Sequence, residues 1–138
     1  MLVERQAIKN LIFVRLNTGD DILASLTEAA KTHNIKNAII LSGTGSARTY
    51  HYHVVGTPVV PPRDDFYKGE KASDIVNING LIVNGRVHAH ITHSGADIAF
   101  GGHLEPGVEV LTFLCITLAE VDYDFNGFDT IGKIEELR

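Results

Sequence analysis

The chain has 138 residues, 44% of them hydrophobic and 21% charged, so it is long enough for one sizeable core and too short for two ordinary domains. Its formal net charge of −5 argues against a protein whose main task is to hold nucleic acid by neutralising phosphates. The charge is uneven, because residues 1–96 carry ten basic and eight acidic side chains, whereas residues 97–138 carry two basic and nine acidic ones. We therefore expect a single domain over residues 1–138, with any anion-binding surface in its first part.

Cysteine content and hydropathy indicate a cytoplasmic protein without membrane association. The longest uncharged stretches have about a dozen residues, fewer than the ~20 apolar residues of a spanning helix, and the N-terminus has no signal-peptide core. The only cysteine, Cys115, excludes an intramolecular disulfide. Its apolar neighbours predict a buried and unreactive thiol.

The first predicted elements are a strand over residues 11–16 and a helix that begins at Asp20. Apolar residues recur at helical spacing after that aspartate, at Ile22, Leu23, Leu26, Ala29 and Ala30. Asp20 and Asp21 suit the positive end of the helix dipole, and His33-Asn34 ends the segment. This is the strongest helix signal in the chain.

Signals typical of β-structure dominate after the helix. A buried strand is predicted over residues 38–41, and the glycine-rich residues 43–46 predict a tight turn between strands, since neither a phosphate-loop lysine nor a third glycine at dinucleotide spacing is present. Asn84-Gly85 suits the positive φ angles of a two-residue type I′ turn. We therefore predict a hairpin of residues 73–83 and 86–92.

The last strands predict an oligomer. Gly101-Gly102 is expected to break the strand that begins at Ile98. The final strand covers residues 110–118, and apolar side chains occupy both its odd and its even positions. Both faces of this strand should therefore be covered. Since one helix can hardly cover both faces of the sheet, we expect homo-oligomerisation, with a thicker single-chain core as the alternative.

Three of the seven histidines form a candidate metal site. His88 and His90 lie two residues apart on the return strand of the hairpin, which sends both imidazoles to one face roughly 6–7 Å apart along the chain. His103 follows two glycines that let its backbone approach closely. Three histidines with an open fourth position match an exchangeable zinc site, although the ligand type does not exclude Mn, Fe, Ni or Cu. Glu105 and Asp97 are nearby carboxylates that would complete the shell or orient an imidazole.

Other interpretations of the histidines stay open. The same three side chains would also form a histidine-lined polar pocket or a hydrogen-bond network at an oligomer interface. His51 and His53 form a second alternating pair, which is typical of an aromatic-rich, half-exposed strand. His93, beside a turn, and His33, at the end of the helix, are predicted to be solvated.

The ordered motifs together resemble the plants-and-prokaryotes-conserved (PPC) domain. They are Arg15-Leu-Asn-Thr-Gly-Asp-Asp-Ile-Leu-Ala-Ser-Leu26, Ala38-Ile-Ile-Leu-Ser-Gly-Thr-Gly-Ser46, Val87-His-Ala-His90 and Gly101-Gly-His-Leu104. The resemblance covers nearly the whole chain, and residues 128–137 resemble the tail of stand-alone prokaryotic members.

The resemblance implies an α+β fold, a mostly antiparallel β-sheet with one main α-helix packed on it, that assembles as a homotrimer. It also implies that His88, His90 and His103 correspond to three clustered histidines that hold zinc in some prokaryotic relatives. Plant members contact DNA largely through a separate AT-hook segment. This chain has no Arg-Gly-Arg-Pro hook, so DNA binding does not carry over from that segment.

Three functions follow as expectations. The first is a trimeric, metal-binding protein, with zinc as the expected metal, that acts as a binding or scaffold protein and accepts an unidentified small ligand. The alternative is a small metal-dependent enzyme in which metal-bound water reacts, with Glu105, Asp97 or His93 as general base. A DNA-associated regulator is the third. A cupin-like barrel also places alternating histidines on a strand, but its following glutamate is missing at the usual spacing.

Overall fold

Six β-strands and two helices make up the structure, a computed structural model that describes residues 1–138. In chain order they are β1 (Asn10–Asn17), α1 (Ile22–Thr32), β2 (Ala38–Val55), β3 (Asp64–Val83), β4 (Arg86–Ser94), β5 (Ala99–Leu104), β6 (Val110–Glu120) and α2 (Ile134–Leu137). All strand pairings are antiparallel, which confirms the predicted mostly antiparallel sheet. Neither helix has the length and apolar character needed to cross a membrane.

The sheet closes on itself at one end. Its strand order is β1-β6-β2-β3-β4-β5, and β5 also pairs with the last part of β2. This pairing joins His53 of β2 to His103 of β5. The four strands β2, β3, β4 and β5 therefore form a closed ring, with β1 and β6 extending the sheet beyond it.

The glycine-rich residues 43–46 lie inside β2, so the tight turn predicted there is wrong. A Cβ added at Gly45 would lie 2.0 Å from the backbone oxygen of Phe113 on β6. A Cβ added at Gly43 would lie 2.8 Å from the side chain of Ile78 on β3. These glycines allow neighbouring strands to pack closely against a continuous β2 and do not reverse the chain.

The hairpin predicted around Asn84-Gly85 is confirmed. Asn84 has φ 50° and Gly85 has φ 81°, both positive as a type I′ turn requires. The strands on either side pair from Val83 and Arg86 onward, with His88 opposite Leu81. The turn therefore fixes the register that places the histidines of β4.

Helix α1 begins and ends close to the predicted positions. The Asp21 side chain accepts a hydrogen bond from the backbone nitrogen of Ala24 at 2.8 Å, and Asn34 follows the helix with φ 54°. The helix buries one face, formed by Ile22, Leu26 and Ala30. These three side chains belong to the main core, which also contains the buried residues of the strands.

The β1-β6-β2 part of the sheet has one face that points away from the main core. This face is apolar and exposed in the single chain. In β6, Leu114 and Ile116 are buried, whereas Phe113 is 43% exposed and Cys115 is exposed. The prediction of a buried Cys115 thiol is therefore wrong, because this parity of β6 faces away from the core. We call this surface the outer sheet face; it comprises Leu11, Phe13, Ile39, Phe113 and Cys115.

Candidate metal centre

The structure brings His88, His90 and His103 together on one surface of the strand ring. His88 and His90 share a face of β4, and His103 on β5 is the direct partner of His90. The ring centroids are 5.6 Å apart for His88 and His90, 4.6 Å for His88 and His103, and 5.4 Å for His90 and His103. One ring nitrogen from each histidine lies within 4.8 Å of the other two. That these residues hold a metal remains a prediction.

Two glycines place His103 beside its partners. A Cβ at Gly101 would lie 1.9 Å from the backbone oxygen of Ile91, and one at Gly102 would lie 2.3 Å from that of His53. Both distances are far below van der Waals contact, so side chains here would push β5 away from β4 and β2. The predicted strand break at these glycines is wrong, since β5 runs through them. The close approach that was predicted to bring His103 to the site is confirmed.

The surroundings of two of the three imidazoles lower their pKa and so favour the neutral form. Burial, followed by the neighbouring His88 and His53 rings, lowers the pKa of His103 to about 4. Burial and then the His88 ring also lower the pKa of His90. Because a histidine binds a metal only through an unprotonated ring nitrogen, both side chains are ready to act as ligands at neutral pH.

Asp129 orients His88, and sequence reasoning missed it. Its side chain is only 4% exposed, and its Oδ2 accepts a hydrogen bond from Nδ1 of His88 at 3.2 Å. Arg86 binds the same carboxylate at 2.7 Å, and this contact holds the pKa of Asp129 below its usual range. An ionised carboxylate only accepts hydrogen bonds, so the proton of His88 lies on Nδ1 and the lone pair lies on Nε2. No sequence signal marks Asp129 among the acidic residues near the C-terminus.

The two nominated carboxylates differ in position. Oε1 of Glu105 lies 2.6 Å from Nδ1 of His53, whose ring stacks on that of His103 with centroids 4.5 Å apart. Asp97 lies in the exposed turn beyond Ser94, at the opposite end of β4 from His88. Glu105 therefore belongs to the histidine cluster, whereas Asp97 does not.

The second histidine pair lies on the same face as the first. His53 is the direct partner of His103 across β2 and β5, and the backbone nitrogen of Glu105 donates to the oxygen of His51. The ring of His51 has its Nδ1 2.6 Å from the backbone oxygen of Pro106. Sequence alone could not relate this pair to the first because the ring closure between β2 and β5 is a long-range contact.

His93 is buried, so the prediction that it is solvated is wrong. It is 0% exposed, its ring stacks on Phe100 at 5.0 Å, and its Nδ1 lies 2.9 Å from Oγ of Ser73. The adjacent turn does not expose it, because its strand position points into the closed ring. His33, by contrast, is exposed as predicted.

We expect His93 to destabilise the fold in acid. Burial lowers its pKa to about 4, whereas an unfolded histidine titrates near 6.5. Between these values the unfolded chain binds a proton that the folded chain does not, so the free energy of unfolding falls as pH drops from 6.5 to 4, by about 3 kcal/mol in total. Urea titrations of metal-free protein at pH 4 to 7.5 measure this loss.

The matched variant is His93→Phe, which keeps an aromatic ring beside Phe100 and cannot titrate. His103 adds an acid-dependent loss of the same sign in both proteins, so their difference isolates His93. An equally steep loss of stability in His93→Phe would show that His93 is not the cause.

Comparison with known proteins identifies a matching family and several similar structures. The model of the Plants and Prokaryotes Conserved (PCC) domain family matches residues 3–122. The chain is similar to a metal-containing protein from Archaeoglobus fulgidus (19% identity, TM-score 0.78, covering 90% of this chain and 88% of that one). It is also similar to a plant- and prokaryote-conserved (PPC) protein from Pyrococcus horikoshii (21%, TM-score 0.76, 90% and 87%). A third structure, from Bacteroides thetaiotaomicron, carries a provisional DNA-binding name (22%, TM-score 0.73, 86% and 84%). No protein of curated function matches the sequence.

Proposed function

Since the chain belongs to the Plants and Prokaryotes Conserved (PCC) domain family, as its resemblance to PPC domains predicts, we propose that it is a homotrimeric metal-binding protein with a binding or scaffold role. Zinc is the proposed metal, with His88, His90 and His103 as its ligands. The proposed protomer is a single domain over residues 1–138 with α1 packed on the sheet. The free Cys115 suits a reducing compartment, and we place the protein in the cytoplasm.

The convergence of three imidazoles carries this proposal. One nitrogen from each lies within 4.8 Å of the others, and zinc bonds of 2.0–2.1 Å require only small side-chain movements from there. Asp129 holds His88 in the tautomer that offers Nε2, an outer contact typical of zinc-binding histidines. His90 is exposed, so the fourth position faces solvent and can accept a small ligand.

The outer sheet face supports the homotrimer. Phe13 is 75% exposed, Leu11 is 53% exposed, and Phe113 lies on the same face further along the neighbouring strand, opposite Asn17. Fully burying a large apolar side chain contributes about 1.5–3 kcal/mol, so several such residues on one face strongly favour its coverage. A second and third copy of the chain would supply apolar partners of the same composition.

Elemental analysis of protein purified without an affinity tag or added metal tests the metal proposal. The expected result is at least one divalent ion per chain, with zinc predominant. A metal content well below one ion per chain, unchanged after incubation with zinc and desalting, would overturn it.

Asp129→Asn is expected to weaken zinc binding roughly 10–100-fold, the usual cost of losing an outer partner of a ligating histidine. The amide keeps the shape of the carboxylate but no longer fixes the proton on Nδ1 of His88. Competition with a chromophoric chelator measures the affinity. Asp122→Asn is the matched control, because Asp122 is a 78% exposed residue of the same acidic region that pairs with Lys9. Equal affinities in the two variants would show that Asp129 does not orient a ligand.

An enzyme that uses the open metal position is the second candidate. The Glu105–His53 pair beside His103 favours it, because such a pair suits proton transfer next to metal-bound water. A panel of small esters and phosphoesters, assayed with and without chelator, tests this candidate. Activity that survives removal of the metal would count against it.

DNA-associated regulation is the third candidate and rests on the provisional DNA-binding name of the Bacteroides thetaiotaomicron structure. The formal charge of −5 opposes it. Binding to duplex DNA, measured across salt concentrations, distinguishes it from a scaffold role, since phosphate contacts produce a steep salt dependence. Absence of binding near physiological salt would eliminate this candidate.

A further inference from the structure

Further residues of metal-binding types lie beside the three histidines of the proposed zinc site. β4, β5 and β2 lie side by side in the strand ring, and His90, His103 and His53 form one row across them. Glu105 follows His103 with its carboxylate 2.6 Å from Nδ1 of His53. Nitrogen atoms of His53 and His103 and a carboxylate oxygen of Glu105 all lie within 4.8 Å of one another.

We propose that His53, His103 and Glu105 form a second divalent-cation position, next to the zinc site and sharing His103 with it. This inference rests on the proposed function, because His103 is a ligand in both. The two nitrogens and one carboxylate oxygen suit zinc or a similar borderline cation. All three residues are half-buried, so the position is partly shielded from solvent.

The strand arrangement sets the distance between the two cations. The zinc site lies between β4 and β5, and the second position lies between β5 and β2. Neighbouring strands are roughly 4.8 Å apart, so the cations would lie about one strand spacing from each other. His103 occupies the middle strand. Its neutral ring has one lone pair and one N–H, so the second zinc must displace that proton to solvent, and the resulting imidazolate binds one cation at each nitrogen.

His53 also has a second carboxylate nearby, although it lies farther from the ring than Asp129 does from His88. Its Nδ1 faces Glu105, while its Nε2 lies 3.9 Å from Oδ2 of Asp64. A cation bound through Nδ1 leaves the Nε2 proton directed toward Asp64, as Asp129 binds the opposite nitrogen of His88 in the zinc site. The carboxylates of Glu105, Asp64 and Asp129 also offset part of the charge of two dications.

Binding at the second position costs more than binding at the first. Nδ1 of His53 and Oε1 of Glu105 would separate from 2.6 Å to about 3.3 Å, the spacing of two ligands around a tetrahedral ion with bonds of 2.0–2.1 Å. Their hydrogen bond is lost, and the second cation is repelled by the first. We therefore expect two equivalents of zinc, the second bound more weakly.

Calorimetric titration of the metal-free chain with zinc tests this proposal. The wild-type protein is expected to bind two equivalents, while His53→Ala and Glu105→Gln each bind one with the affinity of the tighter step. His51→Ala is the matched control, because His51 lies on the same strand and face but outside both groups, and it should keep two.

His88→Ala separates failure of this inference from failure of the proposed function. It should lose the tighter step and keep the weaker one. One equivalent in the wild type, unaffected by His53→Ala, would overturn the second position and leave the zinc site standing. A second equivalent that survives both His53→Ala and Glu105→Gln would also overturn it. Failure of the wild type to bind any zinc would overturn the zinc site and the second position together.

Discussion

His103→Ala is expected to abolish stoichiometric zinc binding, the largest functional loss of any single substitution in this chain. His103 is the central member of the cluster, in contact with His88, His90 and His53. Removing it leaves the zinc site with two histidines on one strand. The loss of affinity should exceed the roughly 10–100-fold cost of losing an outer partner. Competition with a chromophoric chelator gives the affinity of both proteins.

Thermal unfolding supplies an independent measurement of the same change. Zinc at a thousand times its Kd stabilises a folded protein by about 4 kcal/mol, so zinc should raise the Tm of the wild type and leave that of His103→Ala unchanged. His33→Ala removes an exposed histidine at the end of α1 and should respond to zinc as the wild type does. A zinc-dependent rise in the Tm of His103→Ala equal to that of the wild type would contradict the assigned ligand set.

Phe13→Asp is expected to convert the homotrimer to monomers. In the isolated chain the side chain is 75% exposed, so a protomer tolerates aspartate there without loss of its core. In the trimer each interface would contain an unpaired charge, which costs several kcal/mol when buried. Light scattering should give the wild type a mass three times that of the 15.1 kDa chain and the variant the mass of a single chain.

Val59→Asp is the control for this substitution. Val59 is likewise an exposed apolar residue, at 61%, but lies in the loop between β2 and β3, away from the outer sheet face. It should leave the mass unchanged. A monomeric wild type would refute the trimer itself, and a trimeric Phe13→Asp would show that the subunits meet through another surface.

Local signals predicted much of the fold. The spacing of Ile22, Leu26 and Ala30 predicted α1, and Asn84-Gly85 predicted the hairpin with its register, because each depends on residues close in sequence. The glycines were harder to interpret. At Gly45 and Gly101 the reason for glycine is the close approach of a neighbouring strand, at Phe113 and Ile91 respectively. A local pattern typical of a turn or a strand break therefore belonged to a continuous strand.

In the candidate site, too, features set by local sequence could be predicted, whereas features set by long-range contacts could not. His88 and His90 could be paired from strand periodicity, and His103 was added from the glycines before it. Asp129 could not be found, because the tail reaches His88 through a contact between residues 41 positions apart. His93 was misplaced for a similar reason, since only the closed ring of strands shows that its side chain points inward.

Anomalous diffraction from crystals of tag-free protein, recorded above and below the zinc absorption edge, tests the central claim most directly. The account predicts an anomalous peak that disappears below the edge and lies about 2.0–2.1 Å from ring nitrogens of His88, His90 and His103. A structure without such a peak after incubation with zinc, or with zinc bound only elsewhere on the chain, would contradict it.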